Sequence, residues 1–486
     1  MRKILAISLL VLMTGGCKMG PDYRRPALDV PQSFQYETRD ARETADTEWW
    51  KNFRDPVLDG LIAEALANNK NIKIAAANIE QAAGLLTQTR APLFPQVNYG
   101  GGASRQRESN ENAIPVPSGV SNPFNTLQIF GGVNWEIDLW GRVRRLSEAA
   151  RANLLASEEA RRGVILSLVA SVAGDYLQMR GQDEQLAIAK RNLAAYAESV
   201  KLYEVQFEYG LISMMTVEQA RTQYETAAAL IPQIESQITQ LENALSVLLG
   251  RNPGPIARGK TINELAYPEV PAGLPSQLLE RRPDLAQAEQ NLIAANAQIS
   301  AARALYFPTI TLTGSYGYES ANLSDLFKSP ARVWSYAGSI VGPIFTAGAI
   351  SGQVRQAEAA QQAALVSYQL SVQNAFADVE NALVIREKLM GQIQAQERLV
   401  TANREYERLA KLQYDGGYAP YLTVLNAQQQ LFPAELNLAQ FRASLFTSYA
   451  NLYKAMGGGW VALADKMTAA GGSEQAGPPP AKGTGP

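Results

Sequence analysis

Two periodicities divide this chain. From Thr126 to Trp140, apolar and polar positions alternate, with Leu127, Ile129, Val133, Trp135, Ile137 and Leu139 on every second residue. A period of two puts those side chains on one face of a half-buried strand. Phe94 to Arg107, with Val97, Tyr99 and many small residues, reads as its partner. Glu108 to Asn125, rich in Ser, Asn, Pro and Gly, reads as a surface loop between them. Thr309 to Ser320 and Val333 to Phe345 repeat the pattern around a shorter loop. These strands have the length and aromatic content of membrane-spanning strands. The segments alone leave a soluble β-hairpin open as the alternative.

The second periodicity is seven. Leu186, Leu193, Val200 and Phe207 form one seam, and Ala189, Tyr196 and Tyr203 form another. The next segment carries Val217, Tyr224, Ile231, Ile238 and Leu245, with Ala220, Ala227, Ile234, Leu241 and Leu248 beside them. The last one carries Val424, Leu431, Leu438, Leu445 and Leu452. Sustained heptads predict coiled-coil packing with left-handed supercoiling. Arg142 to Phe207 contains no proline, so at ~1.5 Å per residue it predicts a helix of roughly 100 Å. Pro232 and Pro433 fall inside the later helices and read as local kinks.

The chain is also written twice. Asn71 to Val97 aligns with Asp284 to Ile310 without a gap. From Trp140-Gly141 onward, Val172 meets Val379, Gly210 meets Gly417, and Thr216-Val217 meets Thr423-Val424. One short length change between Val97 and Trp140 reconciles the two alignments. Each half is therefore a helix, a strand hairpin and two long helices. Gly210 and Gly416-Gly417 mark the turns at the tips of the helical hairpins. The resulting division is a signal peptide over 1–16, an N-terminal arm over 17–60 and a helix over 61–93. A strand hairpin over 94–140, a helical hairpin over 141–250 and a connector over 251–282 complete the first half. The second half places a helix over 283–307, a strand hairpin over 308–345 and a helical hairpin over 346–457. A disordered tail is expected over 458–486, which is Gly/Pro-rich from Gly471.

Four strands cannot close a membrane barrel, since known ones have eight or more. An open sheet edge cannot face lipid, because its unpaired backbone groups find no partner there. If these strands span a membrane, the chain must oligomerise. Two copies give eight strands around a filled interior, whereas three give twelve and leave an aqueous lumen. The helices would then continue the cylinder, with alanine- and glutamine-rich faces toward the bore.

Composition removes most other classes. Lysine and arginine number 44 against 46 acidic residues, a net charge of −2 that gives no basic stripe for nucleic acid. There is no histidine and a single cysteine, which excludes imidazole-based catalysis, disulfides within the chain and thiolate metal clusters. No nucleotide-binding loop and no paired-carboxylate motif is found, so no catalytic residue and no metal ligand is assigned. A carboxylate-only hydrolase is a distant alternative. A non-conducting structural or adhesive coiled-coil lipoprotein is the nearer one.

At the N-terminus, Arg2 and Lys3 precede an apolar run from Ile4 to Met13 and the small residues Thr14, Gly15 and Gly16. The run is too short to span a bilayer and reads as a secretory signal. Cys17 follows directly, as in a bacterial lipobox, although Thr14 stands where that pattern prefers Leu or Val. By that resemblance Cys17 is acylated after cleavage, and Lys18 directs the lipoprotein to the outer membrane.

The stretch Gly16 to Pro26, GCKMGPDYRRP, resembles the mature start of the OprM/NodT subgroup of TolC-type outer-membrane factors. Further landmarks of that family are Trp49-Trp50 with Leu66-Ala67-Asn68-Asn69, Trp135 to Arg142, and Arg281 to Leu285 leading to Phe307-Pro308. The resemblance runs from Cys17 to about Trp460. It implies a mixed α and β membrane protein: a homotrimer with a twelve-stranded β-barrel, four strands per chain, continued by a periplasmic α-helical barrel of coiled-coil hairpins. It implies an efflux exit channel in outer-membrane lipid, with no cofactor beyond the lipid on Cys17. Its implied partners are a periplasmic adaptor (a membrane fusion protein) and an inner-membrane pump. The family constricts its periplasmic end in the stretch that here contains Asp415, Tyr421, Leu422, Thr423 and Asn426. Asn426 stands where the family carries an acidic residue, so a ring there would hold by hydrogen bonds with less attraction for cations. Capping and packing of the tip is the alternative role for these residues. Met215, Thr216 and Gln219 are the weaker equivalents on the other hairpin. Gly210 and Gly417 are expected to serve the turn and adaptor docking together, and Trp49 and Trp50 to be structural.

Overall fold

The structure is a computed structural model and describes residues 19–36, 48–109, 111, 119, 121–268, 270, 275–457 and 461. The expected signal peptide, Cys17 and nearly all of the expected tail lie outside the described residues. Val461, the one described residue of 458–486, is buried in the core, where an apolar side chain is more stable than in water.

A 3₁₀ turn at Trp49–Phe53 leads into α1 (Pro56–Asn68) and α2 (Lys70–Arg90). Strands β1 (Gln96–Gln106) and β2 (Phe124–Ile137) follow, then α3 (Arg142–Glu208) and α4 (Met214–Leu248). The second half runs through α5 (Pro275–Arg281), α6 (Pro283–Ala304), β3 (Thr309–Ser320) and β4 (Arg332–Val341) to α7 (Ala349–Asp415) and α8 (Tyr421–Ala455). The duplication reappears in the element lengths, since α3 and α7 are both 67 residues and α4 and α8 both 35. Gly141, Gly210 and Gly250 have positive φ, as do their counterparts Gly348, Gly417 and Gly457.

Three details depart from the sequence reading. The first helix begins at Pro56 rather than 61, because Asp55 caps it by accepting from the Val57 N–H at 3.0 Å and Pro56 fits its first position. That helix also breaks at Asn69. Its side chain there accepts from the N–H groups of Asn71 and Ile72 at 2.8 and 3.2 Å, starting a new helix. The connector over 251–282 contains α5. Pro232 and Pro433 lie inside α4 and α8 and end neither, since buried residues on both sides of each hold the helix in place.

The chain forms two compact units. Of the described residues, the first draws on those within 19–27, 78–158 and 287–369 and holds the strands. The second draws on those within 28–77, 159–286 and 370–461. In the first unit all four strands join one antiparallel sheet in the order β1-β2-β3-β4. The strand-to-helix turn after β2 is built by the Trp135–Arg142 stretch. Asp138 accepts from the N–H groups of Val143 and Arg144 at the start of α3, and Glu136 pairs with Arg142 at 2.9 Å. Trp140 stacks on Phe307 with ring centres 4.7 Å apart and donates to the Pro308 carbonyl at 2.7 Å. The described start of the N-terminal arm, 19–27, also belongs to this unit. Asp22 pairs with Arg145 at 2.6 Å, while Tyr23 and Arg25 both donate to Glu289.

In the second unit Trp49 is buried and stacked on Tyr453, ring centres 5.0 Å apart and nearly parallel, with Phe53 against Phe446. Beside them lies the fully buried Asp55, which also accepts from the Tyr176 hydroxyl at 2.7 Å and the Lys260 N–H at 3.1 Å. Three chain segments are thereby tied to one carboxylate. The heptad seams are buried at Ala189, Tyr196 and Tyr203 on α3, at Val217, Ala220, Ala227, Ile234, Ile238 and Leu245 on α4, and at Val424, Leu431, Leu445 and Leu452 on α8. The seam of Leu186, Leu193 and Val200 is half-buried, and its last member Phe207 is exposed.

Candidate channel wall and helical tips

The register of the sheet sorts its side chains. Directly paired residues share a face, and residues two apart along a strand share it too. Following the pairs Val97↔Val133↔Gly314↔Tyr336 and Tyr99↔Gly131↔Tyr316↔Trp334 traces one face across all four strands. That face carries Ile129, Trp135 and Ile137 from β2, Ile310 and Leu312 from β3, and Ile340 from β4. Trp334 and Tyr336 stack on it, 5.7 Å between ring centres. The opposite face is polar. Gln96, Asn98, Ser104, Thr126, Gln128 and Asn134 lie on β1 and β2, and Thr309, Thr311, Thr313 and Ser315 follow on β3. Ser315 and Ser335 share a hydrogen bond of 2.8 Å across that face.

Phe130 is the central exception on the polar face. It sits opposite Gly100 on one side and Gly317 on the other. A Cβ at Gly100 would meet the Phe130 ring at 2.8 Å, and one at Gly317 would meet the Ile129 carbonyl at 2.1 Å. The two glycines therefore admit an aromatic ring into a polar surface. Alternation alone gave no signal for this, because Phe130 falls on the polar phase.

Every residue of β4 is exposed in the single chain, as are all but one of β1. Both strands are edges, each hydrogen-bonded on one side only. An apolar exposed face, a polar exposed face and two open edges describe a section of wall rather than a finished domain.

At the helical tips the two hairpins turn in the same way. The Leu211 N–H donates to the Gln206 carbonyl and the Gly210 N–H to the Phe207 carbonyl, at 2.9 and 2.8 Å. Tyr418 and Gly417 repeat this onto Gln413 and Tyr414 at 2.8 and 2.9 Å. The six-to-one closure over a left-handed residue requires φ of +72° at Gly210 and +76° at Gly417, where glycine carries no steric penalty. Around these turns Tyr209, Leu211, Met215 and Tyr418 are exposed, Tyr418 to 88 %. Thr216 and Gln219 are half-buried.

The candidate gate residues separate into two groups. Leu422 and Asn426 lie one turn apart on an exposed stripe of α8, Thr423 is half-buried, and Asp415 is exposed at the end of α7. Tyr421 instead turns inward, packed edge to face against Tyr203 at 4.5 Å and Tyr414 at 5.7 Å between ring centres. Burial pushes the Tyr421 hydroxyl pKa up to about 12 and raises that of Tyr203 as well, so both stay neutral donors. The tyrosine cluster joins the two hairpins at their ends. It escaped the sequence reading because Tyr203 reads as a heptad position of one hairpin and Tyr421 as a constriction residue of the other. Among the described residues, no group of His, Cys, Asp or Glu could hold a metal ion, and no helix is long and apolar enough to cross a membrane.

The model of the family described as Outer membrane efflux protein matches residues 61–251 and 274–458. The chain is 37 % identical over 466 residues to the probable efflux pump outer membrane protein TtgC of Pseudomonas putida, covering 94 % of this chain and 96 % of that protein. It is 35 % identical to the probable outer membrane lipoprotein SilC of Salmonella typhimurium, over 94 % of this chain and 99 % of that one. The open state of the Neisseria gonorrhoeae MtrE outer membrane channel superposes with a TM-score of 0.82 at 34 % identity, over 91 % of this chain and 99 % of MtrE. This chain accordingly belongs to the outer membrane efflux protein family and is an efflux channel of the bacterial outer membrane.

Proposed function

We propose that three copies of this chain close a twelve-stranded barrel, which conducts small molecules passively from the periplasm to the exterior. The observation that carries this reading is the sorting of one mainly apolar and one mainly polar face across four strands whose two edges are open. In lipid those edges must be paired, and pairing β4 of one copy with β1 of the next satisfies both and turns the polar face inward. The apolar run of β2 from Leu127 to Ile137 measures about 34 Å along the strand. At a tilt of about 40° that becomes about 26 Å, the height of the apolar band of an outer-membrane barrel. The bore so formed is lined mainly by Thr, Ser, Asn and Gln, which hold no particular solute tightly.

Transport of this kind needs neither catalysis nor a cofactor. The energy would come from an inner-membrane pump acting through a periplasmic adaptor that docks on the tips. The exposed Tyr209, Leu211 and Tyr418 beside the Gly210 and Gly417 turns offer the apolar contacts for docking. Leu422 and Asn426 would narrow the closed end, with Thr423 and Asp415 flanking them and Tyr421 bracing the helix from inside. A lipid on Cys17 would anchor the arm. Three residues farther on, Gly20 packs so closely on Ser300 of α6 that a Cβ would meet its Oγ at 2.3 Å.

Closure is tested by placing a photo-crosslinking benzophenone at Tyr336 of β4 in cells. The expected products are dimers and trimers joined through β1 of another copy. Crosslinks confined to one chain would overturn the reading.

A further inference from the structure

Four side chains in the strands carry charge, and their placement is uneven. Glu136 and Glu319 lie on the polar face, paired with Thr311 and Gln128 in the register. Arg105 and Arg332 lie on the apolar face, where Arg105 pairs with Asn125 and Arg332 with Tyr318. Arg105 is the penultimate residue of β1 and Arg332 the first of β4, so both stand at the loop end of the sheet, one on each edge. Their side chains are exposed and, among the described residues, hydrogen-bond only to neutral groups. Arg105 donates to the Asn125 side chain at 3.3 Å, and Arg332 to the Ser329 hydroxyl at 3.4 Å. The nearby acid Asp325 is already held by Lys328 at 2.6 Å.

Arginine on a lipid-facing surface is tolerated near the headgroups and not at the midplane. The same face marks that boundary independently. Tyr316, Tyr318, Trp334 and Tyr336 lie just below the arginines, as the aromatic girdle of a barrel does. We propose that Arg332 of one protomer and Arg105 of its neighbour flank the seam between copies and bind the phosphate of an outer-leaflet lipid headgroup. This rests on the three-copy closure proposed above, which brings β4 and β1 together. Guanidinium groups match phosphate oxygens in planar, two-pronged hydrogen bonds, and both arginines lack a carboxylate partner among the described residues. The apolar surface beneath them selects a lipid over free phosphate, because Tyr318 and Trp334 offer a bed for acyl chains. The bound lipid would bridge two protomers at the place where the wall is joined.

The test uses the purified full-length assembly in phosphatidylcholine vesicles doped with a bis-phosphorylated glucosamine glycolipid. Retained glycolipid is counted by native mass spectrometry after extraction. Wild-type protein is expected to retain it, and the Arg105→Gln/Arg332→Gln double variant to retain at least about tenfold less at unchanged assembly mass. Arg105→Lys/Arg332→Lys should retain an intermediate amount. Equal retention by wild type of the same glycolipid stripped of its phosphates would overturn the proposal without any variant. So would equal retention by the Gln variant, or displacement of the glycolipid by millimolar inorganic phosphate. A wild-type mass other than three copies would refute the closure reading, whereas three copies without selective retention would refute the lipid site alone.

Discussion

Val133 and Asn134 are neighbours on β2 that point to opposite faces, so one substitution at each position separates the faces. Val133 lies beside Val97 and Gly314 on the apolar face, one residue from the midpoint of the Leu127–Ile137 run. Asn134 lies between Gln96 and Thr313 on the polar face. Val133→Arg places a guanidinium near the bilayer midplane, at about 2–4 kcal/mol per copy. That is roughly a 30- to 800-fold shift per copy against the inserted state, compounded over the assembly. Asn134→Arg adds a charge to a wet surface and should change stability by no more than about 0.5 kcal/mol. The assay is the fraction of urea-unfolded protein that refolds into vesicles as the heat-resistant assembly, followed by reversal potentials in a salt gradient. Val133→Arg is expected to abolish assembly, and Asn134→Arg to assemble normally while shifting permeation toward anions. If both variants assemble alike, or Asn134→Arg alone fails, the assignment of faces is wrong.

Other consequences are as specific. Gly317→Ala should lower the thermal midpoint of the assembly by an amount equivalent to about 1–3 kcal/mol, because its Cβ has no room beside the Ile129 carbonyl; an unchanged midpoint would contradict the packing around Phe130. Asp55→Ala should cost about 3 kcal/mol or more in urea unfolding, since it strips the acceptor from Tyr176 and from the Lys260 N–H inside the core. Burial raises the Asp175 carboxyl pKa above its ordinary 3.8. The folded state then binds the proton more tightly than the unfolded one, so the penalty is absent below pH 3.8 and grows as pH rises toward the folded pKa. Asp175→Asn should therefore leave the urea midpoint unchanged at pH 3.5 and raise it at pH 8; an equal effect at both would contradict the burial argument.

Much of this architecture was legible before any coordinates. Alternation revealed β2 because one face meets lipid and the other water, and the heptads revealed α4 and α8 because their seams pack within the chain. The duplication located both tips, since Gly210 and Gly417 occupy the same place in two copies of one pattern. What escaped depends on contacts between distant segments. Asp55 reads only as part of the N-terminal arm, and its role emerges once Tyr176 and Lys260 arrive beside it. Tyr421 reads as a constriction residue by position, yet it fills the space between Tyr203 and Tyr414. Phe130 and the two arginines of the apolar face break the binary pattern, and their meaning emerges only from the register.

If the polar face of the sheet encloses a water-filled bore, the purified assembly carries current across a planar bilayer. Small, discrete openings are expected for the wild-type protein and a large, sustained conductance once Leu422→Ala and Asn426→Ala widen the closed end. A bilayer that stays silent with the doubly truncated assembly inserted would contradict it.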